Sequence, residues 1–129
     1  MPYTPPNMGL HLRYRLWIAE MNSDITILRI LEDFLNEIKF QSEEVKDSAT
    51  KFNNLFINLR KNIDDLRHEM HLLKMKLASY LREGKPTSYK TYLADKHIAV
   101  KKHYYTFRKM FDRTKSDFKI FEDKCLQID

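Results

Sequence analysis

Alternate steps of four and three residues from Val45 reach Ala49, Phe52, Phe56, Leu59, Ile63, Leu66, Met70, Leu73, Leu77 and Tyr80, all of them apolar. A mean spacing of 3.5 residues, held for five heptads, keeps one narrow stripe on one side of an α-helix, the pattern of a coiled-coil seam. The same steps resume beyond Gly84 at Leu93, His97, Val100, Tyr104, Phe107, Phe111, Thr114, Phe118, Phe121, Cys125 and Ile128, with only His97 and Thr114 breaking the apolar run. Between the stripes lies "GKPTS", residues 84–88. There Gly84 can take the left-handed turn that ends a helix, Pro86 cannot continue one, and Thr87 or Ser88 can cap the next. So short a connection predicts two antiparallel helices, over about 42–83 and 88–128. Facing residues then have numbers summing to about 172, which sets Glu69 against His103, Asn62 against Met110 and Leu55 against Asp117. At roughly 1.5 Å per residue each arm is about 60 Å long.

The stripe also extends backwards in phase through Ser42, Ile38, Leu35, Leu31, Leu28, Asp24, Met21, Trp17 and Tyr14. Two readings follow. In the first, "KFQSEEVKD" at 39–47 starts a new helix, with Ser42 as N-cap and Glu43, Glu44 and Asp47 suiting the positive end of its dipole. The chain then turns near Gln41, and a first helix over about 10–40 packs on the hairpin as a three-helix bundle. In the second, one helix runs unbroken from Tyr14 to Glu83 in a helix-swapped dimer. The first is preferred on its cap chemistry. Either way, Ile25, Ile27, Ile30 and Phe34 lie beside the seam and widen the apolar face of the first helix beyond a two-stranded coil, so it should touch more than one neighbour; with Trp17 they are candidate partner-facing residues. Residues 1–9, rich in proline, read as a flexible leader, and 10–129 as a single domain.

Composition agrees with an all-α class: 32% charged residues with two glycines and four prolines among 129 residues suits long helices and not sheets. The longest apolar run is a few residues, as in "LWIA", against roughly 20 for a membrane crossing. The first residues show no apolar signal region, and a lone Cys125 permits no internal disulfide. A cytoplasmic location is the expectation.

The net charge of +5 is uneven: Lys/Arg against Asp/Glu number four to five in residues 1–41, eight to seven in 42–83, and eleven to six in 84–129. With the seam lettered a and d, the e positions hold Lys46, Arg60, Arg67 and Lys74 on the second helix and Lys101, Arg108 and Lys115 on the third. These rows adjoin in an antiparallel pair, so basic side chains line one flank of the groove. Something negative should cover them. Glu20, Asp24, Glu32, Asp33 and Glu37 of the first helix are one candidate. Nucleic acid is the other, through Arg60, Arg67, Lys74, Lys101, Arg108 and Lys115, with Tyr89, Tyr92 and Tyr105 available to stack bases.

Candidate chemistry is thin. "DDLRHEMHLLK" at 64–74 has the residue types of a metal site, but Asp64 and His71 fall at b, Asp65 at c, His68 at f and Glu69 at g, all facing away from the seam. Bundle metal sites need carboxylates and histidines pointing inward from several helices, so a solvated face is expected and no metal. His97, at an a position, could ligate or titrate, although fixing register is the commoner role. Cys125 and Trp17 with Tyr14 read as core. No nucleophile with base and orienting group, phosphate loop or zinc-cysteine pattern is present, so neither catalysis nor a cofactor is expected.

"LWIAEM" and "NNLFINLRKNIDDLRHEM" resemble short all-helical bacterial proteins of Bacteroidetes type, a family with no assigned function. That resemblance implies a compact bundle in a bacterial cytosol. A spectrin-like three-helix unit, with a tryptophan early in its first helix, is similar in outline. The function expected is non-enzymatic: binding a protein partner or a second copy through long helical faces, with nucleic-acid or ribosome association as the alternative.

Overall fold

The computed structural model of the protein describes residues 6–38, 42–83 and 87–126. They form three helices, α1 (Pro6–Glu37), α2 (Glu43–Glu83) and α3 (Thr87–Leu126). Among the described residues only Ile38 and Ser42 fall outside them. The unbroken helix from Tyr14 to Glu83 is therefore not formed, and the chain folds back on itself. Ser42 supplies the reason: its Oγ accepts a hydrogen bond from Val45 N–H at 3.2 Å and its carbonyl accepts from Lys46 N–H at 3.1 Å, so it is an N-cap. Glu43 and Glu44 then sit at the positive end of the α2 dipole. Gln41 and the Gly84 to Pro86 connection lie outside the described residues, as do residues 1–5 of the expected leader and Ile128. α1 begins at Pro6, earlier than the first helix expected from about residue 10, and the fixed φ of proline favours a first helical turn there.

The three helices run up, down and up. Hydrogen-bonded or edge-to-face pairs between α1 and α3 keep an offset of 83 or 84 residues, Tyr14 with His97, Glu20 with Tyr104, Asp24 with Arg108 and Phe34 with Phe118, as parallel helices require. In the α2·α3 hairpin the register expected from the turn brings His103 Nδ1 to 3.8 Å from Glu69 Oε2. The inner stripes meet along the axis: Ala49, Phe56, Leu59, Ile63, Leu66, Met70, Leu73 and Leu77 of α2 are buried, as are Leu93, Val100, Tyr104, Phe107, Phe111, Phe118 and Phe121 of α3. Tyr14, Trp17, Met21, Leu28 and Leu35 complete the core from α1. Thr114, a polar residue on the α3 stripe, is also buried, and its hydroxyl donates to the Met110 carbonyl at 2.8 Å.

The packing is not threefold symmetric. α2 approaches both other helices, whereas no Cα of α1 comes within 8 Å of one in α3 among the described residues. Side-chain size accounts for this, since interaxial distance follows the residues at the contact. α2 turns mostly aliphatic side chains inward, while the α1·α3 gap is filled by Tyr14, Trp17, Tyr104, Arg108, Phe34 and Phe118. Trp17 stacks on Tyr104 at 4.6 Å between ring centroids and lies parallel to His97 at 6.3 Å.

Candidate functional site: a buried charge network and its basic flank

The α1·α3 gap also holds the charged centre of the molecule. Arg108 donates to both oxygens of Asp24, Nη1 to Oδ1 at 3.1 Å and Nη2 to Oδ2 at 2.7 Å, with side-chain exposures of 19% and 5%. Arg108 Nη2 also donates to the Tyr104 hydroxyl at 3.1 Å, which in turn donates to Glu20 Oε2 at 2.7 Å. Arg108 Nε lies 3.0 Å from Glu20 Oε1, close in charge but out of line for a hydrogen bond, so that N–H has no aligned partner. Burial raises the Tyr104 pKa, and its hydrogen bond to Glu20 raises it further. Burial works against the Arg108 charge, but hydrogen bonds with Asp24 and Tyr104 more than offset this and hold it protonated. A bidentate guanidinium–carboxylate pair of this kind fixes geometry as well as charge. Here it sets the rotation and the axial position of α1 against α3.

The expected basic flank divides under α1. Arg60 donates through Nε to Glu32 Oε1 at 2.8 Å, with Nη2 on the same oxygen. Arg67 donates to Asn22 Oδ1 at 2.9 Å and to Asp64 Oδ1 at 2.7 Å. With Arg108 on Asp24, all three arginines of the flank have partners, and Glu20, Asp24 and Glu32 are acids of the helix expected to cover them. Among the described residues Asp33 and Glu37, both exposed, form no ion pair within 4 Å, and neither do Lys46, Lys74, Lys101 and Lys115. Lys101 lies 5.9 Å from the Tyr105 ring and Lys115 lies 5.3 Å from that of Phe111. A nucleic acid on this flank would therefore meet lysines without ion-pair partners, beside the arginine donors that these contacts leave free. The Tyr89 side chain lies outside the described residues, while Tyr92 and Tyr105 are exposed.

Of the apolar residues expected to face a partner, Trp17 is buried, and Ile25, Ile27 and Phe34 pack partly buried against the core. The wide face of α1 meets α2 and α3 of its own chain. Ile30 alone of that set points outward, 61% exposed. The acidic and histidine residues of 64–71 lie on the outer face as their seam letters require. Among the described residues no group of three or more His, Cys, Asp or Glu could hold a metal ion, and no helix is long and apolar enough to cross a membrane. Cys125 borders a cleft of about 460 Å³ between α2 and α3, where burial pushes its thiol pKa up and so lowers its reactivity.

His97 is half-buried, with Nδ1 2.8 Å from the Tyr14 hydroxyl. Burial lowers its pKa from 6.5, as do Arg13 and Lys101; Leu77 and Tyr80 of α2 line the same cavity. The neutral ring accepts from Tyr14, whose own pKa is raised to about 12 by burial. A base with a depressed folded pKa gives stability that is full above the unfolded value and is lost as pH falls through the folded one. Stability should therefore decline on acidification from about pH 6.5. His97→Asn, which keeps an acceptor for Tyr14, should lose less between pH 7.5 and 5 in parallel denaturant titrations than the wild type. Equal losses would mean that His97 does not titrate on unfolding.

Fold and sites together define a small all-α three-helix bundle locked by a buried charge network. No known protein family, characterised protein or solved structure matches the chain.

Proposed function

We propose that this protein is a non-enzymatic binding module that works through its helix faces, on a protein partner or on a second copy. One observation carries this reading. On the outer side of α1, Leu12, Leu16, Ala19, Ser23, Thr26 and Ile30 follow one another at steps of four and three residues, and all are exposed. Leu12, Leu16 and Ile30 are 54%, 61% and 61% exposed. The stripe carries no charge over a rise of roughly 27 Å. The inner stripe of α1 already fills the core, so this second stripe has no use within the monomer. Its spacing suits another helix, which would bury it in a coiled-coil-like seam.

Size-exclusion chromatography with light scattering, recorded at 260 and 280 nm in low and high salt, tests the proposal. The expected result is a dimer, or a complex with a partner helix captured by crosslinking, that survives high salt and is lost in Leu16→Glu/Ile30→Glu. These side chains are exposed, so the double variant should remain folded. A species that stays monomeric and uncrosslinked overturns the reading. Material absorbing at 260 nm and removed by salt would favour the nucleic-acid alternative, which rests on Lys74, Lys101 and Lys115 with Lys102, Lys109 and Lys119 on the exposed face of α3.

A further inference from the structure

A different face of the molecule, the outer rim of the α1·α2 groove, gathers three arginines. Arg29 of α1 and Arg60 and Arg67 of α2 line an open pocket of about 200 Å³, together with Ile25 and Asp64. Two of these guanidiniums are fixed in place. Arg60 is tied to Glu32, and Arg67 to both Asn22 and Asp64, with side-chain exposures of 35% and 32%. A guanidinium has five N–H donors, and each of these two commits only part of its fork to the protein. Among the described residues Arg60 keeps Nη1 and Arg67 keeps Nε without a protein acceptor. Arg29 is exposed and forms no ion pair within 4 Å among the described residues. Three guanidiniums against the carboxylates of Glu32 and Asp64 leave a net positive charge.

We infer that this pocket binds a phosphate group, free or as a small organic phosphomonoester. The donors that Arg60 and Arg67 keep free can each give a charged hydrogen bond to a phosphate oxygen, and the uncommitted planar fork of Arg29 suits a bidentate contact. Two guanidiniums already held by the protein lower the ordering cost of binding, and the exposed Arg29 can close on the bound anion. The volume exceeds that of one phosphate, which leaves room for a short organic substituent against Ile25. Glu32 and Asp64 act as positioning residues that hold Arg60 and Arg67. Their negative charge also selects against weakly coordinating anions, which cannot recover the repulsion through several hydrogen bonds.

The inference is tested by NMR on the full chain, following the arginine Nε–H signals during titration with sodium phosphate, glycerol phosphate or sodium acetate at constant ionic strength. Constant ionic strength is needed because exposed charges are screened over about 10 Å in 0.1 M salt. The expected result is saturable shifts at Arg29, Arg60 and Arg67 with both phosphates and none with acetate. Arg29→Gln, an exposed substitution that should leave the fold intact, should weaken binding at least about tenfold, the effect of losing one charged hydrogen-bonding group. Lys109→Gln on α3 should leave binding unchanged. Tighter binding of glycerol phosphate than of inorganic phosphate would identify a monoester site, and the reverse order a site for the free anion. Shifts that fail to saturate, that match those with acetate, or that persist in Arg29→Gln would overturn it. None of these readouts depends on the outer α1 stripe, so this site and the binding role of that stripe stand or fall separately.

Discussion

Asp24→Ala should lower the stability of the protein by about 3–5 kcal/mol, the cost of leaving a buried guanidinium without its carboxylate. Arg108 is mostly screened from water, 19% exposed, since its charge lies between α1 and α3 with aromatic rings on several sides. Tyr104, Phe107 and Phe111 each place a ring centroid 5.5 Å from its guanidinium carbon. Glu20 offers a second carboxylate, but Nε meets it out of line and Glu20 is half exposed, so it only partly compensates. The melting temperature should fall by roughly 10 °C or more for a domain of this size. Replacing both partners with apolar residues, Asp24→Leu with Arg108→Met, should recover most of the loss, because no charge is then left buried. The pairing energy is read from the double-mutant cycle by urea denaturation. A loss below about 1 kcal/mol in Asp24→Ala, in the range of exposed ion pairs, would mean that water reaches the network.

Phe118→Ala should cost a similar amount, about 3–5 kcal/mol for a large aromatic removed from a packed core. Phe118 is 1% exposed and its ring meets residues of all three helices: Phe34 of α1 at 5.7 Å, Phe52 and Phe56 of α2 at 5.1 and 5.5 Å, and Phe121 of α3 at 5.7 Å. Several of these pairs are tilted or edge-to-face, which favours them beyond the area they bury. Rigid helices cannot collapse far into the void, so the cavity term remains. Because Phe34 loses its partner across the gap, the end of α1 should loosen first, seen as faster amide exchange around Phe34 and Leu35 than around Tyr14. Uniform exchange along α1, with a loss under about 1 kcal/mol, would show that the neighbouring phenylalanines had filled the space.

Much of this was legible in the order of residues. The four-three spacing marked nearly every buried position of α2 and α3, Ser42 marked the start of α2, and the length of the 84–88 connection gave the register that joins Glu69 to His103. The cover over the basic flank could be anticipated from charge alone, since the acids of the first helix balance a flank that would otherwise repel itself. Asp24 carried the clearest signal among those acids. It was the only charged residue on the inward stripe of the first helix, and a carboxylate in such a place requires a buried cation. The arginine pocket was less visible, because Arg29 lies on α1, away from the e rows that hold Arg60 and Arg67.

Helix type, stripe and the cap that starts α2 were determined by the sequence alone, because each depends on neighbours within about seven residues along one chain: side-chain spacing, caps, and the residues that break a helix. Tertiary structure decided which charges meet. Whether α1 folded back or continued into α2 rested on a competition between burying its apolar face within one chain and burying it against another. Once α1 folded back, the parallel offset of α1 and α3 selected Arg108 for Asp24 and Tyr104 for Glu20. The same return of α1 gave Arg60 to Glu32 and left the lysines of the flank open. It also used the inward stripe of α1 and left the outward one facing solvent. Those assignments depend on distances across the bundle, and an ion pair worth several kcal/mol when buried is worth little a few ångströms further out.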